Sequence, residues 1–240
     1  MECHSRAFRL PIQRSLRTTA YGIFVVANTC GHAADLPVVP AWEPIKVPAA
    51  FNCGGRCAAA LLIGPQLATD MEKVFGLKSV TPPWQYRFDD SVLVGGALSY
   101  RLLGNGEIAS IEGEVGVGQR FGSLRQTEGW AALYVRWSAF PWNAYLRTSV
   151  AISTGLNYAT SATQHEIDMT PNRSSTRVLH YLAPEITFAL PQMPETEFLA
   201  RLHHRSGGGK WWDSPPVYGG LFHANKGGTQ YLVLGLRQRF

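Results

Sequence analysis

The sequence predicts an all-β chain, an eight-stranded antiparallel transmembrane β-barrel of the outer membrane. Three observations predict it. Alternating segments of about ten residues recur after Ala58, separated by turn residues, which is the spacing of strands that cross a bilayer. Only 16% of residues are charged while Gly, Trp, Tyr and Phe are plentiful, a balance suited to a wall facing lipid. The final run, Tyr231 to Phe240, alternates and closes on a terminal Phe.

The elements follow in order. Residues 1–34 read as an export signal: an Arg-bearing start, an apolar stretch around Ala20 to Ala27, and small residues Gly31, Ala33 and Ala34 before Asp35. That stretch is too short to cross a bilayer as a helix, and no later segment is long enough. Ala27, Asn28 and Thr29 are a poor lipidation box for Cys30. Residues 35–57 form a linker toward the periplasm, rich in Pro (Pro37, Pro40, Pro44, Pro48). Residues 58–240 form the barrel.

Ala58 to Leu67 is a strand that Gly64 and Pro65 interrupt. Ser91 to Leu103 sets Val92, Val94, Leu98, Tyr100 and Leu102 against Ser91, Ser99 and Arg101, because strand side chains alternate. Gly104-Asn105-Gly106 makes a tight turn. Glu107 to Phe121, Trp130 to Phe140, Tyr145 to Leu156, Val178 to Leu190, Glu197 to Ser206 and Tyr231 to Phe240 complete the eight.

Arg101, Glu112, Glu114, Arg136, Arg147, Glu185 and Arg201 fall on one side of their strands. Charges face hydrocarbon only at high cost, so in a narrow barrel they are expected to pair in the lumen. The alternative is a soluble sandwich whose charges face water. Trp84, Tyr86, Trp130, Trp137, Trp142, Tyr145, Trp211 and Trp212 lie near strand ends, as an interfacial girdle would.

The net charge is +5. Without Arg6, Arg9, Arg14, Arg17 and Glu2 of the signal, 22−4 = 18 bases face 17−1 = 16 acids. A near-neutral chain lacks the basic face of a nucleic-acid binder. Cys53 and Cys57 have no second pair nearby to complete a zinc site. In an oxidising compartment a local disulfide is expected, two free thiols being the alternative.

With both termini in the periplasm, the long segment Gly207 to Gly228, carrying Trp211, Trp212, Asp213 and Tyr218, becomes an outer loop. His204 and Ser206 then lie at the outer end of the seventh strand. They continue the row of Phe198, Ala200 and Leu202, so they face the lipid. Glu197, Arg201, His203 and Arg205 face inward. A serine needs a base to become a nucleophile, and an imidazole within hydrogen-bond reach supplies one, worth about 10²–10⁴-fold. Gly207, Gly208 and Gly209 leave backbone N–H groups free to turn toward an oxyanion. Ordinary interfacial hydrogen bonding is the alternative role for both side chains. His203, pointing inward, is a second candidate base, with pairing to a Glu its other role.

On R-L-H-H-R-S-G (Arg201 to Gly207) and G-L-R-Q-R-F (Gly235 to Phe240), with G-A-L-S-Y-R (Gly96 to Arg101), F-P-W-N (Phe140 to Asn143) and A-P-E (Ala183 to Glu185), the chain resembles the outer-membrane lipid A 3-O-deacylases and their acyloxyacyl-hydrolase-like relatives. The resemblance implies an eight-stranded barrel that removes a fatty acyl chain from lipopolysaccharide. It implies Ser206 as nucleophile, His204 as base, and lipid A of the outer leaflet as partner, with no metal or cofactor. The family's orienting carboxylate has no counterpart at Gly228-Thr229-Gln230-Tyr231. Gln230 has the parity to sit beside His204 in its place, and Asp213 is the other substitute. Two functions are therefore expected to compete. One is an esterase; the other is a non-catalytic small barrel serving structure or adhesion. A pore is a third option, disfavoured because side chains fill so small a barrel.

Overall fold

The computed structural model describes residues 53–75, 79–168, 176–207 and 228–240. The export signal and most of the linker, residues 1–52, lie outside them, as do Gly208, Gly209, Trp211, Trp212, Asp213 and Tyr218. The strands are β1 (Cys57–Leu67), β2 (Phe88–Gly104), β3 (Ala109–Gly122), β4 (Gln126–Trp137), β5 (Arg147–Ala159), β6 (Val178–Leu182), β7 (Glu185–Ala189), β8 (Thr196–Ser206) and β9 (Gly228–Arg239). Each pairs antiparallel with its neighbours, and β1 pairs β9, so the sheet closes on itself. Closure leaves no unpaired edge, the condition for crossing hydrocarbon with strands.

Nine segments make eight crossings. β6 and β7 both pair with β5 on one side and β8 on the other. Ala183 and Pro184 separate them, because Pro184 has no N–H for the ladder. The freed groups find other partners: Ala183 N–H donates to Ser153 Oγ at 2.8 Å, and Pro184 O accepts from Leu202 N at 2.9 Å. The single strand expected over Val178 to Leu190 is thus two halves. β1 departs the other way: it runs unbroken through Gly64 and Pro65, with a register shift between Pro65 and Leu67.

Alternation sorts the wall into two faces. Leu61, Ile63, Leu98, Val115, Val117, Leu133, Val135, Ile152, Leu234 and Leu236 are exposed on the outside. Leaving such residues exposed to water would be unfavourable, by about 1.5–3 kcal/mol each; a band this continuous belongs against lipid. Trp137, Trp142 and Tyr145 are exposed at the end where β1 begins and β9 ends, and Trp84 at the other. Trp130 is a correction to the girdle: it is 4% exposed and inside the lumen, where Nε1–H donates to Glu114 Oε1 at 2.8 Å. It shares the inward parity of Tyr134 and Arg136, and Gly116 opposite leaves room for its ring, since a Cβ there would collide with it.

The lumen is packed with charge in matched pairs. Arg136 bonds Glu185 at 2.6 Å and Glu112 at 3.1 Å. Arg201 reaches Glu114 through both terminal nitrogens at 2.8 Å and Glu185 through Nε at 2.7 Å. Arg237 bonds Glu112 at 2.7 Å, and Arg239 bonds Glu197 at 2.6 Å. Toward the other end Arg120 pairs with Glu128. Arg120, Arg136, Arg201, Arg205, Tyr134, Tyr181 and His203 are fully buried. A filled interior is what eight strands leave space for. The expected pairing holds for Glu112, Glu114, Arg136, Glu185 and Arg201. Arg101 and Arg147 are the exceptions, with no ion pair among the described residues: Arg101 donates to backbone carbonyls, and Arg147 is exposed at the mouth, on the first residue of β5.

The first and last strands seal together. Cys57 and Phe240 exchange two backbone bonds of 3.3 and 3.0 Å, and Cys53 is disulfide-bonded to Cys57. Gly104, at φ +85°, turns β2 into β3 where a side chain would strike Ala109 and Ser110.

Candidate functional site at the outer end of β8

The R-L-H-H-R-S run of β8 presents two faces with different tasks. On the inner face each residue is tied by a carboxylate. Arg201 is held by Glu114 and Glu185, as above. His203 Nε2 lies 2.9 Å from Glu128 Oε1, and its Nδ1 lies 2.9 Å from the Tyr181 hydroxyl. Trp130 and Tyr181 pack edge-on against the same ring, with centroids 4.9 and 4.8 Å away. Arg205 Nε is 3.3 Å from Glu166 Oε1.

Glu166 comes from the loop between β5 and β6, on the short helix α1 (Gln164–Asp168). Thr163 and Glu166 form a capping box. Glu166 N–H donates to Thr163 Oγ1 at 3.1 Å, and Thr163 N–H to Glu166 Oε2 at 3.0 Å. Thr229 Oγ1 donates to Glu166 Oε1 at 3.2 Å. The helix is thereby tied to Arg205 of β8 and Thr229 of β9. Sequence reasoning missed Glu166 and Glu128. The parity of Glu128 with Trp130 and Tyr134 was a legible signal for the second, and T-x-x-E for the first.

On the outer face His204 and Ser206 are half-buried, and their parity is the outward one. Register sets Gln230 directly opposite His204 on β9 and Leu182 opposite it on β6. Ser206 lies opposite Gly228 and His180. The two side chains converge over Gly228: a Cβ there would meet Ser206 Cβ at 2.9 Å and His204 Cε1 at 3.2 Å. A side chain at position 228 would therefore crowd both the serine and the imidazole edge. His180 extends the polar row, with Nε2 3.0 Å from Thr154 Oγ1.

Gln230 occupies the position its parity predicts. Its Nε2–H donates to the Thr69 carbonyl, which fixes which end of the amide remains for other partners. Gln230 Oε1 and His204 Nδ1 are both buried, and neither meets hydrogen-bond geometry with another group among the described residues. Among the described residues no carboxylate bonds His204. Of the oxyanion glycines, Gly207 is buried just past the end of β8; Gly208 lies outside the described residues, as does Asp213.

No protein-family model and no curated protein matches the chain. Two solved structures are similar to it. Neisserial surface protein A is 10% identical, with a TM-score of 0.43, over 78% of this chain and 97% of that one. The Yersinia pestis outer membrane protein Ail, in a phospholipid bilayer nanodisc, is 17% identical, with a TM-score of 0.33, over 76% and 99%.

Proposed function

We propose that this protein is a small, non-conducting barrel of the Gram-negative outer membrane that serves the envelope or its surroundings through its outer rim. The observation that carries this reading is the filled lumen: among the described residues six arginines and six glutamates pair across it, with Trp130, Tyr134 and Tyr181 between them. A solute path would have to break several buried pairs at about 3–5 kcal/mol each. Work is thus left to the wall and the loops. The test is single-channel recording on refolded protein in planar bilayers. Stable conductance steps would sink the reading.

A second reading is favoured by the convergence at Gly228. His204 and Ser206 face outward at the rim, where an ester of an outer-leaflet lipid would arrive sideways. In this reading Ser206 attacks the acyl carbonyl, His204 carries the proton to the leaving alkoxide, and water releases the acyl-enzyme. Gln230, opposite His204 in register, offers the imidazole only an amide oxygen, without the charge a carboxylate would bring to imidazolium. The reaction is deacylation of lipid A, as the family resemblance implies. Mass spectra of lipid A from cells with and without the protein decide between the two. A product lighter by one hydroxyacyl chain, lost in Ser206→Ala, supports hydrolysis; unchanged spectra with folded barrel leave the non-catalytic reading.

A further inference from the structure

The end of the barrel where β1 begins and β9 ends opens into a cavity of about 730 Å³. The turns after β2, β4 and β7 and the Gly54–Gly55 turn ring it. Its floor is the Arg239–Glu197 pair and the Ser149–Thr187 hydroxyl pair, 2.7 Å apart.

The charge balance of the interior singles this cavity out. Six lumen arginines each hold an ion pair with one or more of six glutamates. Two further inward arginines, Arg101 and Arg147, have no ion pair among the described residues, and both line this cavity. Arg101 is held in place by carbonyls alone, donating to Asn105 O at 3.0 Å and Gly55 O at 3.1 Å. A guanidinium beside a wall of low dielectric attracts an anion more strongly than one in open water. The rim adds the opposite sign: Glu107 and Glu195, both exposed, line the same cavity without an ion pair to either arginine.

We propose that this mouth is a binding site for a short zwitterionic peptide, with a carboxylate at Arg101 and Arg147 and an ammonium at the rim glutamates. Two guanidiniums offer the planar donor forks that carboxylates match. In the orientation expected from the sequence, this mouth faces the periplasm and the cell wall, whose peptides carry free carboxylates and amines. The site is independent of the outer-rim chemistry at Ser206.

The test uses the full refolded barrel in detergent micelles and isothermal titration with the tripeptide Ala-Glu-Lys, against inorganic phosphate as a second arm. Saturable peptide binding tighter than phosphate binding is expected, weakening as salt rises. Arg147→Gln, outside the ion-pair network, should weaken it about tenfold, the loss of one charge-assisted hydrogen bond. Arg125→Gln removes the same charge at the other end of the barrel and should change nothing. No saturable peptide binding, or an equal loss in Arg125→Gln, overturns the site; equal affinity for phosphate overturns its zwitterionic character.

Discussion

Glu185 shows how much one residue carries in this barrel. Its carboxylate takes bonds from Arg136 at 2.6 Å and Arg201 at 2.7 Å, inside a lumen where neither guanidinium reaches bulk water. Glu185→Ala would leave two buried cations short of a partner, so a loss of about 3–5 kcal/mol is expected. Urea unfolding in lipid vesicles measures it. A midpoint unchanged from wild type would mean that the lumen rehydrates freely. Gly116→Ala tests packing at the same depth. The added methyl meets the Trp130 ring, and overpacking of this kind costs about 1–3 kcal/mol. A shift in Trp fluorescence with reduced stability is expected. Trp130 also shows how a residue is misplaced from sequence: its type argued for the membrane interface, while its parity with Tyr134 and Arg136 argued for the lumen. Parity won, because a strand cannot turn one side chain around without breaking the ladder.

At the scale of the element, β4 and β8 separate the two tasks of a barrel strand. Leu133 is exposed midway along β4 between the inward Ala132 and Tyr134. Leu133→Arg is expected to cost about 2–4 kcal/mol in a bilayer, as for a cation near the midplane; little change would mean that this face does not meet lipid. On β8 the inward carboxylate ties hold the strand whatever the outward residues do. Ser206→Ala should therefore leave stability within about 0.5 kcal/mol, the usual range for a substitution away from core and caps. Gln230→Glu supplies the carboxylate that register places opposite His204. If the hydrolytic reading holds, this variant should deacylate faster in the lipid A mass spectrum. Absence of product from both wild type and Gln230→Glu would sink that reading. The β6–β7 break was half-legible: Pro184 marked a defect, but a defect bridged by Ser153 Oγ and Leu202 N needs neighbours that only the closed sheet supplies.

For the whole molecule, closure and filling together predict a heat-modifiable protein that migrates faster on a gel when folded than after boiling, and passes no current. The sequence by itself determined the class, the number of crossings and which residues face in or out. That information is local: alternation sorts side chains at every second position, and the cost of a charge in hydrocarbon decides which row is inside. It also determined that His204, Ser206 and Gln230 share the outward row. Only the tertiary structure decided who meets whom. Register between strands far apart in sequence set Gln230 against His204 and Ser206 over Gly228. It also joined Glu128 to His203 and left Arg101 and Arg147, at one mouth, with no ion pair among the described residues. Those pairings depend on the stagger at which eight strands close, a collective geometry that no single segment encodes.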